Sequence, residues 1–171
     1  MNTMDSPAAR WRAMRPEDIP SVAAIAATIH PRFFEDAEVF AERQRLFPAG
    51  AMLLERHGLA AGYALSHPWR LGELPRLNSL LGAIPQDAST YYIHDLALLP
   101  EARGERAAGV LVGSLESLAR SLCFRSMSLV AVNGSRRFWE RQGFEVVESP
   151  ELTAKLGSYE ESAVLMVKSF V

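Results

Sequence analysis

The run Arg103-Gly104-Glu105-Arg106-Ala107-Ala108 has the composition of a turn that binds an anion. An apolar run ending at Leu99-Pro100 precedes it, and apolar residues at three- and four-residue spacings follow it, so we expect a strand before the turn and a helix after it. The first amides of a helix lack partners within the helix, and the helix dipole favours negative charge there. The turn therefore predicts a phosphate site, with Arg103 as a cation beside it.

Two common phosphate-binding motifs do not fit this turn. A P-loop needs Gly-Lys-Ser or Gly-Lys-Thr after its four-residue spacer; Gly104 and Gly109 have that spacing, but Val110 and Leu111 follow. A dinucleotide fingerprint needs three glycines at its own spacing, and the turn does not contain them. On these residues alone, the phosphate ligand stays open.

The expected strand before the turn carries residues that can transfer protons. Simple alternation divides it into one face with Tyr92, His94, Leu96 and Leu98 and another with Tyr91, Ile93 and Asp95. His94 is the first candidate for a base, because imidazole titrates near neutral pH; the alternative is a buried histidine hydrogen-bonded within the sheet. For Asp95 we expect a structural role, facing a helix N-terminus or an arginine across the sheet.

The elements that position these residues follow from periodicity and from breakers. The expected order is a strand near 11–14, helices over 16–29 and 35–46, a hairpin of strands 51–56 and 59–67, a strand over 91–99, a helix from 104, a strand over 126–132, a helix over 134–142, and strands over 144–147 and 162–170. Segment 69–90 is rich in glycine and proline, and we expect an irregular excursion there that borders the substrate. This order predicts an α/β fold with a mixed sheet, not a run of βαβ units.

The composition indicates one soluble domain over 1–171, with 1–10 as a loose lead. The chain has 171 residues, of which 49% are hydrophobic and 22% charged, enough for one core. A net charge of −2 gives no bulk attraction to nucleic acid or to an anionic membrane. The N-terminus lacks the apolar core of a signal peptide, and the longest apolar stretch, 22–29, is too short to span a bilayer. We therefore expect a cytoplasmic protein.

Metal and thiol chemistry have little support. Cys123 is the single cysteine, so an intrachain disulfide is excluded, and its place at the end of a helix is more typical of a small buried hydrophobe than of a nucleophile. His30, His57 and His67 lie in or beside predicted turns, without the spacing of metal ligands. We predict no metal site.

Three segments resemble sequence motifs of the GNAT superfamily of N-acetyltransferases. Leu96 to Ala108 resembles motif A, whose core is Arg/Gln-x-x-Gly-x-Gly/Ala, and Asn133 to Phe144 resembles motif B, with an asparagine, an aromatic pair and Gly-Phe. Met14 to Pro20 is similar to the start of many GNAT domains. The element order is similar over nearly the whole chain. The resemblance implies a mostly antiparallel sheet with a central parallel strand pair, flanked by about four helices.

The resemblance implies acetyl-CoA as the acyl donor and a primary amine, in a small molecule or a peptide, as the acceptor. The pantetheine arm would pair with the backbone of Leu96, Ala97 and Leu98. The pyrophosphate would meet the amides of Arg103, Gly104, Glu105, Arg106, Ala107 and Ala108. Asn133 and the aromatic surface of Phe138 and Trp139 would line the other wall, and Arg137 or Arg141 would be nearest the 3′-phosphate. Dimers are frequent in the superfamily, so a homodimer is an implied assembly.

Some members of the superfamily carry a histidine or glutamate at the spacing of His94 as a base, so the resemblance favours His94 in that role. Many members have a tyrosine where this chain has Trp139, and that tyrosine protonates the leaving thiolate. An indole N–H cannot release a proton there. Tyr159, just before the last strand, is the predicted replacement, with Tyr92 as a second candidate; the alternative is that Tyr159 closes the substrate pocket.

Arg106 stands where motif A normally has its first glycine, which allows backbone to approach the pyrophosphate. We expect a helical conformation there, which does not require glycine, with the arginine side chain turned aside. We also expect cofactor binding that is weakened, or re-tuned by a contact of the guanidinium with phosphate, rather than lost. Arg106 and Trp139 together also motivate an alternative, a non-catalytic CoA-binding or regulatory module.

Overall fold

The protein, as a computed structural model, is described over residues 9–104, 106–157 and 162–170. These residues form a single domain around one sheet in the order β1-β2-β3-β4-β5-β7-β6. The strands are β1 Arg10–Ala13, β2 Ala51–Arg56, β3 Leu59–Trp69, β4 Thr90–Leu98, β5 Ser126–Ala131, β6 Glu145–Val146 and β7 Val164–Ser169. The helices are α1 Ile19–Ile29, α2 Ala37–Leu46, α3 Ala107–Ser121, α4 Arg136–Arg141 and α5 Pro150–Leu156.

The sheet is mixed, as predicted. Neighbouring strands are antiparallel except β4 and β5, which form a central parallel pair. The α/β fold class is therefore confirmed. Helix α5 was not predicted, although its start carries a recognisable signal: Ser149 caps it by accepting a hydrogen bond from Leu152 N (3.1 Å), and Pro150 occupies the first turn.

Apolar side chains form separate cores on the two faces of the sheet. On one face, α1 and α2 pack Val22, Ile25 and Phe40 against Tyr63 and Leu65 of β3. On the other, α3 and α4 cover the central strands, and the members of that core include Ala64, Ile93, Leu111, Leu115, Leu129 and Trp139. The alternation of Tyr63, Ala64 and Leu65 between the two cores follows the period of a strand. The sheet is thus sandwiched, with its centre protected from water.

A β-bulge in β4 sets the direction of its side chains. Leu65 of β3 pairs with Asp95 and Ser66 pairs with Ile93, so His94 is an extra residue on β4. Accordingly His94 contacts Glu35, and Asp95 contacts His30 and Tyr63, which places both side chains on the face covered by α1 and α2. The predicted division of β4, with Asp95 opposite His94, is wrong because simple alternation fails at a bulge.

The segment between β3 and β4 is irregular, as predicted, and lies against α2. Glu42 accepts hydrogen bonds from the amides of Leu81 (2.7 Å) and Gly82 (3.0 Å). Asn78 Oδ1 accepts from Asp36 N (2.8 Å), and Asn78 Nδ2 donates to Asp36 Oδ2 (3.2 Å). These bonds fix the middle of the segment beside the connection between α1 and α2. Within the described chain, no helix is both long and apolar enough to cross a membrane.

Candidate active site

The central strands separate and leave a groove between them. β4 and β5 pair only where Tyr91, Tyr92 and Ile93 face 127–129. Beyond Ile93 they diverge around a cavity of about 1060 Å³. One wall is formed by 93–98 of β4, and the other includes Leu129, Val130, Val132 and Asn133. Where β4 has separated from β5, its backbone N–H and C=O groups face the groove. An extended ligand can form hydrogen bonds with them, as an added strand would.

The groove collects most of the residues that the sequence singled out. Its lining includes Leu96, Ala97, Leu98, Arg103, Gly104, Arg106, Ala107, Ala108, Asn133, Phe138 and Trp139. His94 lines it as well. Two predicted residues, Glu105 and Tyr159, lie outside the described residues. Trp139 is buried and packs edge-on against Phe138 and Phe144, with ring centroids 4.9 and 5.4 Å away. It forms part of the groove wall, and its indole N–H cannot act as an acid.

The far end of the groove is formed by the start of helix α3, where backbone amides favour a negatively charged ligand. Helix α3 begins at Ala107, and the first N–H bonded within it is that of Val110, which donates to Arg106 O (3.0 Å). The amides of Ala107, Ala108 and Gly109 precede that bond, so helix geometry leaves them without an intrahelical acceptor. Trp11 Nε1 donates to Ala107 O (2.8 Å) and ties the helix start to β1.

Three arginines, Arg103, Arg106 and Arg141, line the same groove as the start of α3. The backbone of Arg106 lies in the left-handed helical region, with φ 59° and ψ 11°. The expected helical conformation at this position is therefore wrong: the backbone adopts the region that favours glycine, and an arginine occupies it at a cost in strain. Arg103 Nε donates to Leu98 O (3.2 Å), which folds its side chain back toward β4.

A buried histidine–carboxylate pair lies on the α1/α2 face of β4. His94 Nε2 lies 3.0 Å from Glu35 Oε1, and the two side chains are 8% and 6% exposed. Glu35 belongs to the connection between α1 and α2, so the partner of His94 comes from outside the sheet. A carboxylate at this distance orients the ring through a hydrogen bond. The role of His94 as a base stays a prediction.

A second histidine–carboxylate pair adjoins the first. His30 Nε2 donates to Asp95 Oδ1 (2.9 Å), and Tyr63 donates a short hydrogen bond to Asp95 Oδ2. His30 and Asp95 both line the groove, with 15% and 13% of their side chains exposed. Asp95 therefore meets a histidine and a tyrosine rather than the expected helix N-terminus or arginine. Spacing in the sequence does not connect residues 30 and 95.

The two members of this second pair favour each other's charge. Burial by itself raises the pKa of Asp95, but the hydrogen bond and charge of His30, with His94 and Tyr63, lower it overall. Burial lowers the pKa of His30, and the hydrogen bond and charge of Asp95, with the charge of Glu35, more than offset that and raise it. The pair thus holds a proton on His30 over a wider pH range than a free imidazole would.

Behind His94 lies a buried polar cluster formed by His67, Trp69, Tyr92 and Arg43. The His67 ring centroid is 6.3 Å from that of His94 and 5.8 Å from that of Tyr92. Burial lowers the pKa of His67 to about 3, so this ring is neutral, and its Nδ1–H donates to Pro68 O (3.0 Å). Arg43 pairs with Glu42 through Nη1 (2.8 Å). The cluster extends the site from the groove toward segment 70–89.

A sequence model of the "Acetyltransferase (GNAT) family" matches residues 19–144. The chain belongs to the GNAT family. The match spans both strands of the groove, the turn before α3 and the two histidine–carboxylate pairs, and it confirms the resemblance seen in the sequence. Tyr159 lies beyond it. Among curated proteins, none matches the chain significantly.

Solved structures share the GNAT fold over nearly the full length. The loading GNATL domain of CurA from Lyngbya majuscula has a TM-score of 0.78 at 13% identity, covering 95% of this chain and 98% of that one. Ard1 from Thermoplasma volcanium has a TM-score of 0.71 at 18% identity, covering 96% and 99%. Naa50 from Arabidopsis thaliana, in complex with the bisubstrate analogue CoA-Ac-MVNAL, has a TM-score of 0.72 at 12% identity, covering 96% and 100%. At these identities the likeness concerns the GNAT acyltransferase fold alone.

Across 9–104, 106–157 and 162–170, no group of three His, Cys, Asp or Glu side chains is placed to hold a metal ion.

Proposed function

We propose that the protein transfers an acetyl group from acetyl-CoA to the primary amine of a small molecule or peptide, by direct attack of the amine on the thioester. The observation that carries this proposal is the groove between β4 and β5, which runs from two histidine–carboxylate pairs to the start of α3 with its arginines. Acid–base groups at one end and an anion site at the other match the two ends of an acyl-CoA.

In this proposal the cofactor lies along the groove. Pantetheine pairs with the free edge of β4 at Leu96 to Leu98, and the pyrophosphate meets the amides at the start of α3. Arg103 and Arg106 add charge at the pyrophosphate, and Arg141 is the partner for the 3′-phosphate. Support comes from Naa50, a fold neighbour whose structure holds an analogue in which CoA is joined to a peptide.

His94 takes the proton of the attacking amine, and Glu35 orients the ring through its hydrogen bond to Nε2. Backbone amides of β4 near Leu98 polarise the thioester carbonyl. As the C–N bond forms and the C–S bond breaks, the sulfur departs as a thiolate that needs a proton; the sequence predicts Tyr159 as the donor. The reaction needs no covalent enzyme intermediate and no metal. We place this chemistry in a cytoplasmic protein, as a homodimer, with neither nucleic acid nor membrane as a partner.

The proposal is tested by following release of free CoA thiol with a panel of amines: amino acids, polyamines, aminoglycosides and peptides with free N-termini. Mass spectrometry of the acceptor must show one acetyl group for each thiol released. Calorimetric titration with acetyl-CoA runs in parallel. Acetyl-CoA that binds without thiol release for any amine would support the non-catalytic module instead, and a failure of acetyl-CoA to bind would remove both.

A further inference from the structure

The departing sulfur needs a proton, and the groove offers few groups that can supply one. Within the described residues, the ionisable side chains that line it are His30, His94, Asp95, Arg103, Arg106 and Arg141. Arginine does not release a proton in proteins. Asp95 is held ionised by His30. His94 is the base of the proposed reaction, so His30 remains.

We propose that His30, in place of the Tyr159 predicted from the sequence, is the general acid that protonates the departing CoA sulfur, and that Asp95 is its positioning residue. This inference rests on the proposed acetyl transfer, in which the proton of the attacking amine still goes to His94. Sequence spacing gave no sign of it, because His30 follows α1 and becomes part of the site only through the packing of that helix on the sheet.

The position of His30 between the two walls of the groove supports this role. Its Nε2 bonds to Asp95 on β4, and its Nδ1 lies 3.0 Å from Asn133 Nδ2, just beyond the end of β5. The ring therefore bridges the strands where they have separated. An acyl chain that follows β4 past Leu96 brings its thioester to this bridge.

The hydrogen bonds assign different tasks to the two ring nitrogens. Nε2–H donates to Asp95, and in the neutral ring Nδ1 accepts from the Asn133 amide. When the ring is protonated, Nδ1 also becomes a donor and no longer matches the Asn133 N–H. A thiolate beside it is then the better acceptor. Protonation of the ring thus replaces the hydrogen bond between Nδ1 and Asn133 with one from Nδ1–H to the sulfur. The hydrogen bond from Nε2–H to Asp95 is kept.

The surrounding charges suit an acid that works on a thiolate. Asp95 on β4 and Glu35 after α1 are the anions that act on His30, Tyr63 of β3 bonds the far oxygen of Asp95, and Asn133 is the polar neighbour after β5. Although burial lowers the pKa of His30, Asp95 and Glu35 raise it overall, so the imidazolium that donates the proton is present over a wider pH range than in a free histidine.

The step balances in atoms and charge. The amine nitrogen bonds to the acetyl carbon, and the electron pair of the C–S bond moves to sulfur. The proton of Nδ1 passes to the thiolate, giving CoA thiol and neutral imidazole, and solvent returns a proton to His30 before the next turnover. The amine proton goes to His94.

The first experiment compares His30→Gln with a matched control, His57→Gln, in the exposed turn between β2 and β3. We expect His30→Gln to lower kcat by about 100-fold or more, as loss of a general acid does. It should also abolish the fall of kcat at high pH, with the Kd of acetyl-CoA kept within about twofold. His57→Gln should match wild type. An unchanged kcat and pH profile for His30→Gln would overturn the assignment.

Asp95→Asn tests positioning separately from acid chemistry. Because it removes the anion that favours imidazolium, the high-pH limb of the kcat profile should move to lower pH, while the KM for acetyl-CoA changes little. A purely structural role would lower kcat at all pH values without moving the limb, and that result would contradict the positioning role.

The final measurement does not depend on any amine. The ultraviolet absorbance of the CoA thiolate is followed against pH for free CoA and for CoA bound to the wild-type protein and to His30→Gln. Bound to wild type, CoA should form thiolate at lower pH than free CoA, and His30→Gln should remove that shift. Identical titrations of free and wild-type-bound CoA would refute the inference without any variant. A shift with no amine acetylated would leave His30 beside the sulfur and refute the proposed acetyl transfer instead.

Discussion

His94 Nε2 lies 3.0 Å from Glu35 Oε1, with 8% and 6% of the two side chains exposed. As the proposed base, a side chain so shielded would exchange protons with the substrate or with an ordered water rather than with bulk solvent. We predict that His94→Ala lowers kcat/KM by about 100-fold or more. Acetyl-CoA should bind to the variant as before. Stopped assays of thiol release across the pH range, with His57→Ala as control, measure this. A variant with full kcat/KM at every pH would show that His94 is not the base.

Arg106 adopts a left-handed backbone conformation, which costs an L-residue with a Cβ about 1–2 kcal/mol. We predict that Arg106→Gly raises the free energy of unfolding by about 0.5–1 kcal/mol, since glycine adopts this conformation freely but is more flexible when unfolded. The same substitution should weaken acetyl-CoA binding by about tenfold, the worth of one charge-assisted contact to phosphate. Urea unfolding and calorimetry give the two values.

Arg106→Lys separates the two effects of that substitution. It keeps both the cation and the strained backbone, so it should retain most of the affinity without gaining stability. Tighter acetyl-CoA binding by Arg106→Gly would mean that the arginine obstructs the pyrophosphate.

Gly50, just before β2, has no room for a side chain. A Cβ there would lie 2.0 Å from the backbone oxygen of Ser66. Gly50→Ala should therefore destabilise the fold by more than about 2 kcal/mol, because backbone has to move. The matched control is Gly113→Ala in α3, where a Cβ meets nothing within 4 Å. The higher helix propensity of alanine should raise the free energy of unfolding there by about 0.5–1 kcal/mol. Opposite signs in urea unfolding confirm the packing of β2 on β3, and equal effects would contradict it.

His67 should make the protein sensitive to acid. Its pKa is lowered to about 3 by burial, so between that pH and the normal titration of histidine only the unfolded chain binds the proton. The contribution of His67 to the free energy of unfolding is fully present above about pH 6.5. It falls by about 1.4 kcal/mol per pH unit as the pH drops toward the pKa of the folded state. His67→Gln should lower stability at pH 7 yet flatten its dependence between pH 6 and 4. An equal slope in wild type and variant would assign the acid sensitivity to other groups.

Much of the fold was predictable because periodicity and breakers follow local chemistry. The apolar stripe after Ala107 and the hairpin at His57-Gly58 both correspond to observed elements, and the motif around Arg103 lies at the predicted end of a central strand. Helix α5 was missed because its seven residues are too few to show a period.

The site was less predictable, for reasons that lie outside local sequence. The bulge at His94 reverses the alternation of β4, and no residue type announces it. The contact between His30 and Asp95 depends on how α1 packs across the sheet, 65 residues away in sequence. The sequence predicts Glu35 at the start of a helix and not beside His94, because that contact too depends on the packing of distant elements. Strand pairing and helix packing, not composition, assemble both pairs.

Glu35 serves two partners with its two oxygens. While Oε1 meets His94, Oε2 accepts a hydrogen bond from Asn78 N (3.2 Å), in the segment that lies over α2. In the proposed reaction, an incoming acceptor that displaced this segment would break the hydrogen bond from Asn78 to the carboxylate that orients His94. In the proposed reaction, acceptor entry and the orientation of His94 would therefore depend on one side chain, which would couple deprotonation to the arrival of the substrate.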